Sequence, residues 1–226
     1  MAEIIVALDL ESEPDALRLL DRIPDARWVK VGSVLFTREG PPLLHELHAR
    51  GLRIFLDLKW HDIPNTVAGA VTAARSLGVA MATVHTLGGV AMMKAAAQAG
   101  GEALGLVGVT VLTSHAATDF AATVGRPSVT VLEEVGRLAD QARDAGLRGV
   151  VCSSHEAPLV RQRLGTSAWI VVPGIRRPSD AMGDQVRTAT PGDAVEAGAT
   201  HLVVGRPILT AADPAAVFQE MAEAAR

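Results

Sequence analysis

The sequence predicts an α/β protein folded as a (β/α)8 (TIM) barrel, and three observations carry that expectation. Eight short runs rich in β-branched residues recur at Ile4–Leu8, Arg27–Val31, Arg53–Leu58, Met81–Val84, Leu104–Leu112, Gly149–Cys152, Trp169–Val172 and His201–Val204. Between them lie stretches of Ala, Leu, Glu and Arg with helical spacing. The runs are hydrophobic throughout rather than alternating, as strands are when both faces are buried. Strand–helix repetition implies a parallel sheet with right-handed crossovers. An open doubly wound sheet is the competing arrangement, but no G-x-G-x-x-G follows the first run, which weakens a dinucleotide-binding reading.

The elements follow in order. Ala16, Leu17, Leu19, Leu20 and Ile23 form one helical stripe; Leu43, Leu44 and Leu47 form a second. Val131, Val135, Leu138 and Ala142 form another after the fifth run. Gly51, Gly78, Gly146 and Gly198 stand just before runs and read as helix C-caps. The longest connection, Thr113–Ser128, is expected to be a mobile active-site loop. With no linker or low-complexity stretch, residues 1–226 read as one domain.

Composition narrows the function. A chain of 226 residues buries roughly 70% of its unfolded surface, so it needs no staples. With 49% apolar and 20% charged residues it is globular, not disordered. Apolar runs are too short for a membrane helix, and MAEIIVALDLE meets acid at Glu3 and Asp9 with no basic region. One cysteine, Cys152, excludes an internal disulfide and a multi-cysteine zinc site. A reduced cytoplasmic home is expected. The net charge of −4 and 3% aromatics argue against a nucleic-acid surface. Any bound anion must meet a local cluster of cations.

In a barrel, chemistry sits where strands end. The first run ends in Asp9, the second carries Lys30, and the third reads FLDLKWHDIPNT with Asp57, Lys59 and Asp62. Asp57 and Lys59 are two apart and share a face, while Leu56 and Leu58 turn to the helices. Alone, the D-x-K pair is equally an internal ion pair. Asp62 alone, ahead of Ile63-Pro64, reads as a helix cap, and Thr66 as a first-turn residue. Lys30 and Asp9, each alone, read as solvent-facing strand ends. Together, Asp9, Lys30, Asp57, Lys59 and Asp62 form an array of acids and bases with no packing rationale, which favours a functional site.

The last two strands end in Pro173-Gly174-Ile175-Arg176 and Gly205-Arg206, the usual phosphate position of this fold. Glycines let backbone N–H groups approach an anion, and arginine supplies a fork of donors. Gln185, between them, adds a neutral donor. The alternative for Arg206 is a salt bridge to a helix acid. His85 at the end of the fourth run stays ambiguous, although no second ligand at suitable spacing supports a metal. Cys152 reads as a small buried hydrophobe, and Trp28, Trp60 and Trp169 as packing residues.

DLKWHDIPNT resembles the D-x-K-x-x-D-I-P-x-T signature of the bacterial orotidine 5′-monophosphate decarboxylases. VALD at Asp9, VKVG at Lys30, VLTS at Thr113, PGIR at Arg176, GDQVR at Gln185 and VVGRPI at Arg206 extend the similarity along the chain. Trp60 departs from the expected phenylalanine or tyrosine. The resemblance implies a cofactor-free decarboxylation of orotidine 5′-monophosphate to UMP, the last step of pyrimidine biosynthesis. It makes Lys59 the proton donor to C6 and sets Asp57 beside the substrate carboxylate. Lys30 would bridge the acids and touch the ribose, whose hydroxyl Asp9 would bind. Thr113 would contact the base, and Arg176, Gln185 and Arg206, in the loops of Pro173 and Gly205, would hold the phosphate. Asp62 and Thr66 would reach across a homodimer into the partner's site. No metal, nucleic acid or membrane partner is implied. Two other readings stand beside it: a metal-assisted enzyme of sugar phosphates, against which Lys30 argues, and a non-catalytic nucleotide-binding regulator.

Overall fold

The computed structural model describes residues 1–178, 180 and 188–226. Eight parallel strands close into a barrel in chain order. They are β1 (Glu3–Ala7), β2 (Trp28–Gly32), β3 (Arg53–Trp60), β4 (Met81–His85), β5 (Gly105–Val109), β6 (Gly149–Val151), β7 (Trp169–Val172) and β8 (His201–Val204). The helices among the described residues are α1 (Glu13–Asp21), α2 (Ser33–Ala49), α3 (Pro64–Ser76), α4 (Gly89–Gly100), α5 (Ala117–Thr123), α6 (Val131–Asp144), α7 (Ala157–Leu164), α8 (Pro191–Glu196), α9 (Arg206–Leu209) and α10 (Pro214–Ala224). Ser12 starts α1 by accepting the Asp15 N–H, and a reciprocal Thr190–Asp193 box starts α8. Gly40, ahead of Pro41 and Pro42, breaks α2 internally. The four glycines read as caps all have positive φ, from 75° to 100°.

Two readings change. The sequence extends the fifth run to Leu112, but β5 ends at Val109, and the Thr110 backbone N–H and hydroxyl both turn to the Val151 carbonyl. The segment Thr113–Ser128 is not a bare loop: α5 occupies its middle, anchored by Phe120 and Ala121 in the core. Arg126, just after it, donates at 2.8 Å to Glu134 of α6, which also receives Arg137. Those hydrogen bonds, Arg137's first, hold the Glu134 carboxyl below its ordinary pKa although the side chain is buried.

Period-two alternation divides the core in two. Residues such as Val29, Ile54, Ala82 and Leu202 face the helices and build the large outer core. Ile5, Ala7, Phe55, Met81, Val107, Val171 and Val203 fill the barrel itself. Its N-terminal end is closed by Trp28, Trp169 and His201, with His201 5.4 Å and 5.2 Å from the two indole rings. Arg53 lies 4.1 Å over Trp28, and Arg148 lies 5.4 Å over Trp169. Glycines on β5 and β6 make room for Trp169 by carrying no side chain. A Cβ on Gly149 would stand 1.8 Å from the Trp169 carbonyl oxygen, and one on Gly105 would stand 2.2 Å from its ring.

His201 makes this floor sensitive to acid. Burial first, then the nearby Arg53 charge, pushes its pKa down from 6.5 to about 4. Between these values the unfolded chain binds a proton that the folded chain refuses, so stability falls as pH drops from about 6.5 to about 4. A shift of this size corresponds to about 3 kcal/mol below that range. Urea unfolding followed across pH 7 to 4 should show this loss, and His201→Phe should remove a large part of the slope.

Candidate active site

At the C-terminal end of the strands the barrel opens into a cavity of about 430 Å³. Its charged side is built by β1, β2 and β3. Lys30 Nζ lies 2.8 Å from Asp9 Oδ1 and 3.8 Å from Asp57 Oδ2, and Lys59 Nζ lies 2.9 Å from the same Asp57 oxygen. Acid and base thus alternate as Asp9, Lys30, Asp57, Lys59. The register that pairs Gly32 with Asp57 sets Lys30 beside the acid, and Gly32 leaves space for the ammonium. A Cβ there would stand 3.1 Å from Lys30 Nζ. The side chains of Lys30 and Asp57 are 11% and 14% exposed, so these charges have shed most of their water and depend on one another. Lys59 at 40% and Asp9 at 57% reach toward solvent.

β3 is irregular where this chemistry sits. Its register against β4 shifts between Leu56 and Trp60. Lys59 has φ 52°, the one non-glycine residue with positive φ among those described. A left-handed conformation at a side-chain-bearing residue costs about 1–2 kcal/mol, so its neighbours must enforce it. The sequence reading treats Asp57 and Lys59 as regular strand neighbours. They do meet over the cavity, but across a distorted backbone.

The adjoining part of the cavity is lined by Pro173, Gly174 and Arg176 after β7 and by Gly205 and Arg206 after β8, the strand paired with β1, and a Cβ on Gly205 would stand 3.6 Å from Asp9 Oδ2. Arg176 is buried, with Nη1 donating at 2.8 Å to the Ile175 carbonyl, whereas Arg206 is exposed at the start of α9. Thr113 and Ser114 also line the cavity. The cavity therefore carries fixed ion pairs on β1 to β3 and two guanidinium groups on the loops after β7 and β8, an arrangement suited to an anion.

This arrangement has known counterparts. The family model described as Orotidine 5'-phosphate decarboxylase / HUMPS family matches residues 2–221. The chain belongs to this family. A curated orotidine 5'-phosphate decarboxylase of Shewanella sediminis (strain HAW-EB3) is 50% identical over 220 residues, covering 95% of this chain and 93% of the relative. One of Halorhodospira halophila (strain DSM 244 / SL1) is 50% identical over 225 residues, covering 97% and 94%. The crystal structure of orotidine 5'-phosphate decarboxylase from Lactobacillus acidophilus matches with a TM-score of 0.89 at 36% identity, covering 100% of both chains.

In this decarboxylase-family barrel, the cavity gathers Asp9, Lys30, Asp57, Lys59, Thr113, Pro173, Arg176, Gly205 and Arg206. Asp62 and Thr66 do not line it; both are exposed. Nor is Asp62 the N-cap of α3, a position held by Ile63, and its carboxylate accepts the Ile63 N–H at 2.6 Å instead. Gln185 lies outside the described residues. Cys152 is buried at the cavity edge, and Trp28 is buried in the barrel floor.

His85 has a local role. Its Nδ1 accepts the Leu87 N–H at 3.3 Å and caps the short 3-10 turn Thr86–Gly88. His85 also stacks on His61 at 5.7 Å. Burial first, then the charges of His61, Lys59 and His115, push its pKa down to about 4, so its ring is neutral at pH 7. Sequence reasoning missed Thr83, whose hydroxyl accepts the Lys59 N–H at 2.8 Å and donates to Asp57 Oδ1 at 3.1 Å. The signal was available in the period-two spacing of Met81, Thr83 and His85.

Proposed function

We propose that this chain is a cytoplasmic orotidine 5′-monophosphate decarboxylase, one barrel domain over residues 1–226, acting in pyrimidine biosynthesis without a cofactor. The observation that carries this reading is the Asp9–Lys30–Asp57–Lys59 array lining one cavity together with Arg176 and Arg206. The substrate is an anion at both ends, a phosphate and a ring carboxylate. Arg176, Arg206 and Gln185 take the phosphate, with the loops of Pro173 and Gly205 shaping its seat. Asp9 and Lys30 hold the ribose, and Thr113 meets the base. The carboxylate on C6 then lies beside Asp57.

Breaking the C6–carboxylate bond leaves its electron pair on C6, in the ring plane, where the π system does not absorb it. The Lys59 ammonium stabilises that pair and then donates its proton to C6, yielding UMP and CO2. Solvent returns the proton to Lys59, which is 40% exposed. Asp57 acts on the ground state. Two like unit charges ~4 Å apart repel by about 4 kcal/mol at an effective dielectric of ~20, and departure of CO2 relieves this. Enzymes lower barriers by about 8–23 kcal/mol, so phosphate binding must contribute by holding the substrate against the array.

The structure also supports a homodimer with shared sites. Asp62, on the β3–α3 connection, and Thr66, in the first turn of α3, are exposed, with Ile63 67% exposed between them. Val34 at the start of α2, Leu87 in the turn after β4 and Val90 at the start of α4 are exposed, following the two strands that flank β3. An apolar rim of this kind, carrying two polar residues beside an open cavity, fits a second copy of the chain.

The sugar-phosphate reading of the family asks for a divalent cation near Asp9 and Asp57. Lys30 Nζ already stands between these acids, which favours the cation-independent reaction. Orotidine 5′-monophosphate incubated with the protein in EDTA should lose its orotate absorbance and release CO2. Turnover of a sugar phosphate only after Mg²⁺ is added would overturn this in favour of the second reading. UMP binding with no turnover at all would favour a regulator.

Three variants test the roles. Lys59→Ala should lower kcat by on the order of 10³-fold or more while UMP affinity stays near that of the native protein. Arg206→Ala should raise KM for the phosphorylated substrate about 10- to 100-fold, the worth of a lost charged hydrogen bond, and leave orotidine turnover almost unchanged. Mixing Lys59→Ala with Asp62→Ala subunits should regenerate activity that neither has alone, read by titrating one against the other. Absence of complementation would mean that each subunit holds a full site.

A further inference from the structure

Thr83 stands in none of the roles assigned above, yet it is the fully buried side chain at the centre of the charged array. It lies on β4, two residues from Met81, and so points into the barrel toward β3. A hydroxyl offers one donor and accepting lone pairs. Here it accepts the backbone N–H of Lys59 at 2.8 Å and donates to Asp57 Oδ1 at 3.1 Å. The first bond replaces a ladder partner at the point where β3 slips its register against β4, between Leu56 and Trp60. It ties Lys59 to its neighbour strand at the residue whose φ is 52°. The second bond occupies one carboxylate oxygen of Asp57. The other, Oδ2, is left facing Lys59 Nζ at 2.9 Å and Lys30 Nζ at 3.8 Å.

We infer that Thr83 is a positioning residue for the decarboxylation, holding the left-handed backbone of Lys59 and the rotation of the Asp57 carboxylate with one hydroxyl. The inference rests on the reaction proposed above. Valine has the shape of threonine without the hydroxyl, so in Thr83→Val the Lys59 N–H and Asp57 Oδ1 each lose their tie. Lys59 then relaxes toward ordinary extended backbone, and its ammonium moves relative to Asp57. Thr83 touches neither the phosphate side of the cavity nor its arginines, so ligand binding through the phosphate does not depend on it.

The test compares native protein, Thr83→Val and Thr83→Ser. Displacements of about 1 Å at reacting groups cost on the order of 10²-fold in rate, so Thr83→Val should lose about that factor in kcat. KM and UMP affinity should change less than about threefold, and Thr83→Ser, which keeps the hydroxyl, should recover most of kcat. Asp57→Asn combined with Thr83→Val should lose less than the product of the two single losses, because both act through one carboxylate. Native kcat in Thr83→Val would overturn the inference, as would equal losses in the Val and Ser variants. If native protein fails to decarboxylate, the proposed reaction is wrong, and the crystal structure of Thr83→Val decides the positioning claim by itself. Lys59 leaving positive φ and Asp57 rotating would support it, and unchanged Lys59 and Asp57 would overturn it.

Discussion

The Asp57 carboxylate is the point on which the site depends. It is 14% exposed and is held by two ammonium groups on one oxygen and by a buried hydroxyl on the other. A carboxylate that has lost most of its water is costly unless each lone pair finds a partner. The partners come from three adjacent strands: Lys30 from β2, Lys59 from β3 itself and Thr83 from β4. Their convergence is a consequence of barrel closure, because the strand order places β3 between β2 and β4 with the register that sets Gly32 opposite Asp57. The array is therefore assembled by the scaffold itself, as the proposed electrostatic catalysis requires.

The two ends of the barrel divide the work. At the N-terminal end Trp28, Trp169 and His201 fill the bore with rings and close it under two arginines. At the C-terminal end the same inward positions carry Lys30, Asp57, Thr83 and Lys59, and the bore is left open as a cavity. Between them lies a layer of Ile5, Phe55, Met81, Val107 and Val171. This layer keeps water from reaching the ion pairs from below, and it anchors the strands that carry them. The rigid lower half permits the upper half to hold a strained residue at Lys59.

Most of this was legible in the sequence because it is carried by short-range periodicity. All eight strands lie within the hydrophobic runs to within a few residues at their ends, and the charged residues stand at strand ends as expected. What escaped depends on three-dimensional partners. The positive φ of Lys59 follows from a register slip against β4, and no local preference of D-L-K-W announces it. The spacing from Met81 puts Thr83 on the inward face, but its two hydrogen bonds reach 24 and 26 residues back along the chain, so its partners are not legible locally. α5 was hidden because seven residues, A-T-D-F-A-A-T, give too little periodicity to register, and its stability comes from burying Phe120. Asp62, grouped with the array as a residue of the same barrel end, is exposed in the single chain, and the reach into a partner's site that the resemblance implies is a matter between two chains.

Charge balance explains why the cavity needs cations beyond those of the array. Asp9, Lys30, Asp57 and Lys59 sum to zero, so the array by itself offers an anion no net attraction, and Asp57 repels one at short range. The chain as a whole carries −4. The attraction must therefore come from Arg176 and Arg206, which stand just after β7 and β8. For the proposed substrate this separates two functions. The phosphate supplies binding energy where no bond changes, and that energy presses the carboxylate against an array that would otherwise reject it. Moving a cation from the phosphate side to the carboxylate side would strengthen the ground state at the very bond that must break. For the proposed reaction, carrying the arginines on the loops after β7 and β8 and Lys59 on β3 keeps the two functions on separate strands, and closure of the barrel in chain order fixes that arrangement.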